Sequence, residues 1–115
     1  MSYDTDNVFA KILRGEIPAE RIHENAFAIA FPDKFPDAPV HVLVIPKKGY
    51  ERYDDFMARA SEAEIVGFFR AVRETAKKLN LTDYRLATNN GEGAGQVIHH
   101  FHVHILSGKK LAKLG

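Results

Sequence analysis

The sequence predicts an α+β domain built on an antiparallel sheet. Its 115 residues, 45% of them hydrophobic, fit one domain, which we expect to span residues 1–115. The predicted elements run helix, three strands, helix, two strands, without the strand and helix alternation of parallel sheets. In the segment His99–Leu106, His100, His102 and His104 alternate with apolar residues, so a strand there has one packed face and one face of imidazoles.

The first part of the chain contains a short helix and a candidate hairpin. Apolar residues recur at helical spacing over Val8–Leu13, with Asn7 or Asp6 available as the cap. Glu20–Glu24 and Ala26–Phe31 are predicted strands joined by a tight turn. We therefore expect one amphipathic helix followed by two paired strands.

A proline-rich loop and a buried strand come next. The prolines of Pro32–Pro39 prevent regular pairing, and Val40–Ile45 is an apolar strand that ends at Pro46. His41 lies in this strand, where a single histidine taken alone is more often structural than functional. Tyr53–Ala60 is compatible with a short helical turn.

The main helix and two further strands complete the predicted fold. The helix begins at the Ser-x-x-Glu capping box Ser61–Glu64, and its apolar face continues to Leu79. Tyr84–Thr88 is a strand, and the glycine-rich loop Asn89–Gln96 then leads into the histidine strand. Such a loop taken alone is an ordinary hairpin connection, but directly before three imidazoles its backbone N–H groups can approach a phosphate closely.

Composition and charge argue against several classes of protein. Sixteen Lys and Arg against fifteen Asp and Glu give a formal charge of +1, too balanced for an electrostatic nucleic-acid binder or a polybasic membrane patch. The chain has no cysteine, which excludes disulfides, thiol nucleophiles and thiolate zinc sites. No apolar run approaches a membrane span, and residues 1–15 lack a signal-peptide pattern. We expect a cytoplasmic protein that binds a small molecule, with neither nucleic acid nor membrane as partner.

The histidine strand has two main chemical interpretations. Histidine is the commonest transition-metal ligand, and two-residue spacing on a strand suits zinc. Alternatively, one neutral imidazole attacks phosphorus while its neighbours bind phosphate oxygens or move protons, with no metal. A third interpretation is a chance polar run on an exposed strand face, against which the strict alternation argues. The glycine-rich loop favours phosphate, and the nearby sequence offers no carboxylate or cysteine as a further metal ligand.

The segment His100–Leu106 carries a resemblance to a known family. Its pattern of His-apolar-His-apolar-His followed by two apolar residues resembles the signature of the histidine triad family. Three more stretches, Asn7–Ala19, Ala38–Lys48 and Asn89–Glu92, are similar to the matching stretches of the nucleotide-binding branch of that family. Nearly the whole chain is covered in order, and several motifs spread over about a hundred residues are more specific than one local pattern.

The resemblance implies a fold, a ligand and a reaction. The fold is a five-stranded antiparallel sheet with two helices, and two subunits form a homodimer with one continuous ten-stranded sheet. Each subunit binds a purine nucleoside monophosphate or phosphoramidate. The reaction is cleavage at the α-phosphorus of nucleoside phosphoramidates or adenylated amines through a nucleotidyl-histidine intermediate, with no cofactor and no metal.

The resemblance also implies the site residues. His102 matches the nucleophile. His100 and His104 match the phosphate contacts and proton donors, with His104 favoured as the leaving-group contact. His41 matches an additional histidine of the cluster. Asp33 matches the acidic residue that accepts hydrogen bonds from ribose hydroxyls. The remaining nucleotide-binding positions form the apolar base pocket (Phe9, Ile12, Ile17 and Phe31) and the phosphate-side loop (Asn89, Gly95, Gln96 and Val97).

Two features of the chain depart from the family. Val97 stands where the branch known from animals has serine, and few residues follow the histidine strand, where relatives have a longer tail that reaches the partner subunit. Both features leave the preferred substrate open. The alternatives are a dinucleoside polyphosphate hydrolase, a nucleotide-binding regulatory module with incidental hydrolysis, and a zinc hydrolase.

Overall fold

Five antiparallel strands and three helices make up the computed structural model, which describes residues 3–114. The helices are α1 (Val8–Leu13), α2 (Tyr53–Arg59) and α3 (Glu62–Lys78), with a 3-10 turn at Glu92–Ala94. The strands are β1 (His23–Glu24), β2 (Ala28–Pro32), β3 (Val40–Pro46), β4 (Arg85–Ala87) and β5 (Val103–Ser107). The predicted α+β fold with a five-stranded antiparallel sheet is confirmed, and α2 forms at the predicted helical turn. Within residues 3–114, no helix is long and apolar enough to cross a membrane.

The sheet places β5 between β3 and β4. The strand order is β1-β2-β3-β5-β4, and every neighbouring pair is antiparallel. His104 lies opposite Leu43 of β3 and Ala87 of β4. His41 lies two residues before Leu43, so its side chain is on the same face as His104 and diagonal to it. The register thus brings together two histidines that are far apart in the sequence.

Each face of the sheet carries its own apolar cluster. On one face, Phe101, Val103 and Ile105 pack with Phe56 of α2 and Phe68 of α3. The alternate residues of the strands point to the opposite face, where α1 packs. The buried members of that second cluster are Phe9, Ile12, Ile29, Phe31, Leu43 and Ile45. The expected division of the histidine segment into an apolar face and a histidine face is therefore present.

The helix ends follow the capping chemistry of the sequence. Asn7 caps α1, because its side chain accepts a hydrogen bond from the N–H of Ala10. Ser61 and Glu64 form the predicted capping box at the start of α3, with each side chain bonded to the backbone of the other residue. Both caps satisfy backbone N–H groups that have no partner within the helix.

The histidine strand begins later than its sequence pattern predicts. The pattern extends from His99, but the ladder with β3 begins at Val103, and His100 and His102 lie in an irregular segment before it. The continued register would place Phe101 opposite Pro46, which has no N–H to donate. The N–H of Phe101 bonds instead to the carbonyl of Tyr50 at 2.7 Å. The chain therefore leaves the sheet where the proline ends the ladder.

Candidate active site

A cavity of about 980 Å³ lies between α1, the end of β2, the glycine-rich loop and the histidine segment. Its volume is at the upper end of the range usual for small-molecule sites. The predicted residues that line it are Phe9, Ile12, Ile17, Phe31, Asp33, Asn89, Gly95, Val97, His102 and His104. Three other predicted residues, His41, His100 and Gln96, are buried behind these lining residues. Most of the predicted site is thus one continuous surface.

Aromatic side chains form one wall of the cavity. Phe9 packs edge to face against Phe31, with the ring centroids 5.6 Å apart. Its ring also contacts that of His102, with the centroids 5.0 Å apart and the planes at 84°. Because Asn7 fixes the start of α1, the helix holds Phe9 between the apolar wall and His102.

Hydrogen bonds orient the ring of His102. Its Nδ1 lies 2.7 Å from the carbonyl oxygen of His100. A carbonyl oxygen only accepts, so Nδ1 of His102 carries the proton and Nε2 keeps its lone pair. The hydroxyl of Thr88 donates to the carbonyl of His102 at 2.7 Å and fixes the backbone of the same residue. The one lone pair of this imidazole is therefore on Nε2, on a residue that lines the cavity.

The surroundings of His102 keep its ring neutral. Burial lowers the pKa of His102, and the hydrogen bond to the His100 carbonyl and the charge of Asp33 offset this only in part. An imidazole with a pKa below its ordinary value is unprotonated at neutral pH. A neutral imidazole with a free nitrogen lone pair is a nucleophile.

A chain of hydrogen bonds fixes the tautomers of His41 and His104. The backbone N–H of Asp37 donates to Nδ1 of His41 at 3.0 Å, so the proton of neutral His41 is on Nε2. That Nε2 lies 2.8 Å from Nδ1 of His104, which must accept. The proton of neutral His104 is therefore on Nε2, and the residue lines the cavity. His104 offers a donor where His102 offers a lone pair.

His104 is also neutral in this environment. Burial, and after it the proximity of His102 and His41, lowers the pKa of His104 to about 4. The ring centroids of His102 and His104 are 5.0 Å apart, so both imidazoles can contact the same small group in the cavity. The pair combines a nucleophilic nitrogen with an N–H donor.

His100 has a position that differs from the expected phosphate contact. It is fully buried, and its Nε2 donates to the carbonyl of Pro46 at 2.9 Å. Its Nδ1 lies 2.5 Å from the hydroxyl of Tyr3. Both ring nitrogens are therefore bonded to protein, whereas the family resemblance implied a contact of this ring with phosphate. Burial lowers the pKa of His100 to about 4, against the opposing effect of the Pro46 carbonyl.

Gln96 supports the glycine-rich loop from inside. Its side-chain oxygen accepts from the N–H of Gly91 at 2.8 Å. Its side-chain nitrogen donates to the carbonyls of Glu51 at 2.7 Å and Ile98 at 3.0 Å. Gly91 and Gly95 have φ values of 94° and 104°, a region that favours glycine. The side chain of Gln96 thus shapes the loop, while Asn89, Gly95 and Val97 line the cavity.

A cluster that could hold a metal ion overlaps the site. Asp33, His41 and His104 each offer one ligand atom, and these atoms lie within 4.8 Å of one another. Oδ2 of Asp33 is 3.4 Å from Nε2 of His41. The nearby sequence of the histidine strand offers no carboxylate, but the fold supplies one from the loop after β2. The site therefore contains donors for a metal as well as for phosphate chemistry.

The structure adds residues that the sequence pattern did not indicate. Tyr3, Asp37, Pro46 and Thr88 orient the histidines through the contacts described above. The contacts of Asp37 and Pro46 use only a backbone group, so no side chain in the sequence indicates them. Thr88 ends the predicted strand before the glycine-rich loop, and this position is the one local feature that could have indicated its role.

Comparison with known proteins places the chain among relatives with the same fold. A relative from Azospirillum brasilense, named an uncharacterized 13.2 kDa HIT-like protein, is 50% identical over 115 residues, 98% of this chain and 94% of the relative. A solved histidine triad protein from Clostridium difficile has a TM-score of 0.87 at 35% identity and covers 100% of both chains.

Two further solved structures carry functional names. A HIT family hydrolase from Clostridium thermocellum has a TM-score of 0.82 at 33% identity, over 95% of this chain and 96% of the other. A histidine triad nucleotide-binding protein from Candida albicans has a TM-score of 0.78 at 28% identity, over 96% and 86%. Residues 14–111 match the family model described as HIT domain. The sequence, the fold and the histidine geometry thus agree, and the chain belongs to the HIT domain family.

Proposed function

We propose that the protein is a metal-independent hydrolase that binds a purine nucleotide and cleaves at the α-phosphorus of nucleoside phosphoramidates or adenylated amines. The observation that carries this proposal is the hydrogen bond from Nδ1 of His102 to the His100 carbonyl at 2.7 Å. It leaves the lone pair of a neutral imidazole on Nε2 of a cavity residue. The names of the Clostridium thermocellum and Candida albicans neighbours, a hydrolase and a nucleotide-binding protein, support the same conclusion.

The cavity lining is suited to a nucleoside monophosphate. The purine packs among the apolar side chains of Phe9, Ile12, Ile17 and Phe31. The carboxylate of Asp33 accepts hydrogen bonds from the ribose hydroxyls, a role that matches its acceptor-only chemistry. The phosphate lies toward His102, His104 and the glycine-rich loop. The N–H of Gly95 donates to the carbonyl of Glu92 at 2.9 Å, so we assign the phosphate contact of this loop to the backbone N–H of Val97.

The first chemical step transfers the nucleotidyl group to His102. The lone pair of Nε2 forms a bond to the α-phosphorus, and the P–N bond of the phosphoramidate breaks with its electron pair on the amine nitrogen. His104 gives its Nε2 proton to that nitrogen. The hydrogen bond from His41 to Nδ1 of His104 stabilises the ring that has lost a proton. The positive charge on His102, whose ring centroid is 5.0 Å from that of His104, also offsets the negative charge of this ring.

The second step releases the product. A water molecule attacks the phosphorus, and the bond between phosphorus and Nε2 of His102 breaks with its electron pair returning to the ring. The proton of the water returns to Nε2 of His104. The amine and the nucleoside monophosphate leave, and both histidines regain their starting tautomers. The enzyme thus replaces one difficult displacement by two easier ones.

The charges beside the cavity favour an amine over a polyphosphate as leaving group. A neighbouring cavity of about 420 Å³ shares Val8, Val97 and Ile98 with the first one. Its lining also includes three acidic residues, Asp4, Glu51 and Glu92, against one histidine, His99. Negative charges in this position repel a polyphosphate, whereas the Nε2 proton of His104 serves an amine. We therefore place the dinucleoside polyphosphate hydrolase second.

We also propose a homodimer. Within residues 3–114, β4 is an edge strand that pairs only with β5, and Leu86 in it is 48% exposed. An unpaired edge with an exposed apolar side chain is a template for pairing with another strand. Pairing of two copies at this edge produces a continuous ten-stranded sheet.

The test of the proposed reaction is intact mass measured while the protein turns over adenosine 5′-phosphoramidate in the presence of a chelator. We expect a transient mass increase of one adenylyl group in the wild type. His102→Ala is expected to form no adduct and to show no turnover above background, while it still binds adenosine monophosphate. His23→Gln is the matched control, because His23 lies in β1 and lines neither the nucleotide cavity nor the neighbouring one.

Each other outcome selects a different function. Unimpaired turnover by His102→Ala contradicts the nucleophile assignment. Loss of wild-type activity with chelator and its return with zinc supports a zinc hydrolase. Faster turnover of diadenosine polyphosphates than of the phosphoramidate supports the polyphosphate hydrolase. Nucleotide binding with no turnover of either substrate supports a regulatory module.

A further inference from the structure

Tyr3 lies outside every motif of the sequence, yet it contacts the histidine cluster. Its hydroxyl is 2.5 Å from Nδ1 of His100, a residue 97 positions later in the chain. The two rings pack edge to face, with centroids 5.5 Å apart and planes at 69°. Tyr3 does not line the 980 Å³ cavity. Tyr3 therefore acts on the reaction only indirectly, and its two side-chain partners are His100 and Asn7, the cap of α1.

The hydrogen bonds around the Tyr3 hydroxyl allow one assignment of donors and acceptors. The side-chain nitrogen of Asn7 is 2.9 Å from the Tyr3 hydroxyl and can only donate to it. Nε2 of His100 donates to the carbonyl of Pro46, so Nδ1 of His100 has a lone pair and no proton. The hydroxyl proton of Tyr3 therefore points to Nδ1 of His100. The hydroxyl selects one tautomer and one ring orientation of this buried histidine.

The peptide group after His100 is the acceptor that orients the proposed nucleophile. Its carbonyl oxygen accepts from Nδ1 of His102, and its N–H, which belongs to Phe101, donates to the Tyr50 carbonyl at 2.7 Å. The segment Pro46–Tyr50 thus holds both the ring and the backbone of His100. Gly49 in this segment contacts Tyr3, since a Cβ there would lie 2.6 Å from the tyrosine ring.

We propose that Tyr3 is a positioning residue of the His102 nucleophile, acting through the side chain and carbonyl of His100. The proposal rests on the proposed function, in which His102 attacks phosphorus. As the Nε2 bond forms, positive charge develops on the His102 ring, and the hydrogen bond from Nδ1 to the carbonyl becomes stronger. A carbonyl held in place provides this stabilisation without first having to reorient. Without the tyrosine hydroxyl, the His100 ring has no partner at Nδ1, and its carbonyl is held less firmly.

The first test is Tyr3→Phe, which removes one oxygen and keeps the ring that packs on Gly49. We expect the single-turnover rate of adenylyl transfer to fall about 2- to 10-fold, the effect of one net hydrogen bond. The dissociation constant for adenosine monophosphate should stay unchanged, because Tyr3 does not line the cavity. Tyr84→Phe is the matched control, since Tyr84 is a partly exposed tyrosine away from the nucleotide cavity.

The second readout is the ¹⁵N chemical shift of the histidine ring nitrogens, measured in the same variants. In the wild type, we expect Nδ1 of His100 to have the shift of a hydrogen-bonded acceptor and Nδ1 of His102 to be protonated. In Tyr3→Phe, the His100 Nδ1 shift should move toward that of an unbonded acceptor, and the His102 N–H should exchange faster with water. Gly49→Ala, which displaces the Tyr3 ring, should cause the same changes, and the double variant should add little.

The outcomes separate this inference from the proposed function. A transfer rate and nitrogen shifts equal to those of the wild type would overturn the role of Tyr3. So would an equal loss of transfer rate and nucleotide affinity, which indicates a general loss of structure. If the wild type neither forms an adenylyl adduct nor turns over the phosphoramidate, the proposed function fails. The shift of His100 and the exchange of the His102 proton in Tyr3→Phe still decide whether Tyr3 positions the ring.

Discussion

The buried neutral His100 should make the folded protein sensitive to acid. Its side chain is fully buried, and burial lowers its pKa to about 4 from an ordinary value of 6.5. Between these two pH values the unfolded chain binds a proton at this position and the folded chain does not. Acid therefore favours the unfolded state. The stabilising contribution is complete above about pH 6.5 and is lost as the pH falls toward about 4.

The size of this effect follows from the pKa difference. Each pKa unit corresponds to about 1.4 kcal/mol, so a change from 6.5 to about 4 corresponds to about 3 kcal/mol of unfolding free energy. A domain of this size has a total stability of roughly 5 to 15 kcal/mol. One histidine should thus remove a substantial part of the stability at pH 4. His102 and His104, whose pKa values are also lowered by burial, add to the loss.

Urea unfolding at several pH values and one fixed protein concentration measures this loss, and His100→Asn isolates the share of His100. The variant is less stable at neutral pH, but its unfolding free energy should fall with acid by about 3 kcal/mol less than that of the wild type. Ile105→Val is the control, because it lowers stability by about 1 kcal/mol and keeps every histidine. Equal acid dependence in His100→Asn and wild type would refute the assignment of His100 as a buried neutral group.

Two further predictions concern the nucleoside and the sheet edge. Asp33→Asn should weaken binding of adenosine monophosphate about 10- to 100-fold, the effect of losing a charged hydrogen-bond acceptor. The variant should bind the 2′-deoxynucleotide no better than the wild type does. Titration calorimetry measures both affinities, and unchanged affinity for the ribonucleotide would contradict the ribose contact. Light scattering after size exclusion should give a wild-type mass of twice the 12.9 kDa of one chain. Leu86→Lys at the β4 edge should lower the measured mass toward that of the monomer. A monomeric wild type would contradict the homodimer.

The elements with strong local patterns could be predicted from the sequence. The capping box at Ser61 and Glu64 and the apolar stripe after it locate α3, because both depend on residues within a few positions of each other. The proline-bounded apolar run locates β3 for the same reason. The histidine alternation correctly separates the apolar face, with Phe101, from the face that carries His104.

The start of the histidine strand could not be predicted in this way. A pattern of alternating residues continues back to His99, but a ladder needs an N–H and a carbonyl on the neighbouring strand. Pro46 removes the N–H, and the carbonyl of Pro46 is bonded to the ring of His100. The position of Pro46 opposite Phe101 depends on the register between β3 and β5, which only the fold determines.

The role of each imidazole could be predicted only in part, because it depends on distant atoms. His102 and His104 line the cavity as their alternation suggests. His100 has the same place in the pattern, but the hydroxyl of Tyr3 and the carbonyl of Pro46 take both of its nitrogens. Residues with equal spacing in the sequence therefore have different chemistry in the fold.

The choice between proton transfer and metal binding at this site depends on the backbone N–H of Asp37. That N–H donates to Nδ1 of His41 at 3.0 Å, which keeps the His41 proton on Nε2. To bind a metal in the cluster with Asp33 and His104, Nε2 of His41 must lose this proton to Nδ1. Nδ1–H and the N–H of Asp37 would then be two donors facing each other, with the loss of one buried hydrogen bond.

The same constraint assigns the proton donor. With the proton on Nε2 of His41, Nδ1 of His104 accepts at 2.8 Å and the proton of His104 is on its own Nε2. The ring centroid of His104 is 5.0 Å from that of His102. One backbone group in the loop after β2 thus disfavours a metal ligand and at the same time keeps the proton that the proposed reaction uses on Nε2 of His104. The hydrogen bonds of the protein itself therefore favour metal-free phosphoryl chemistry over a metal site.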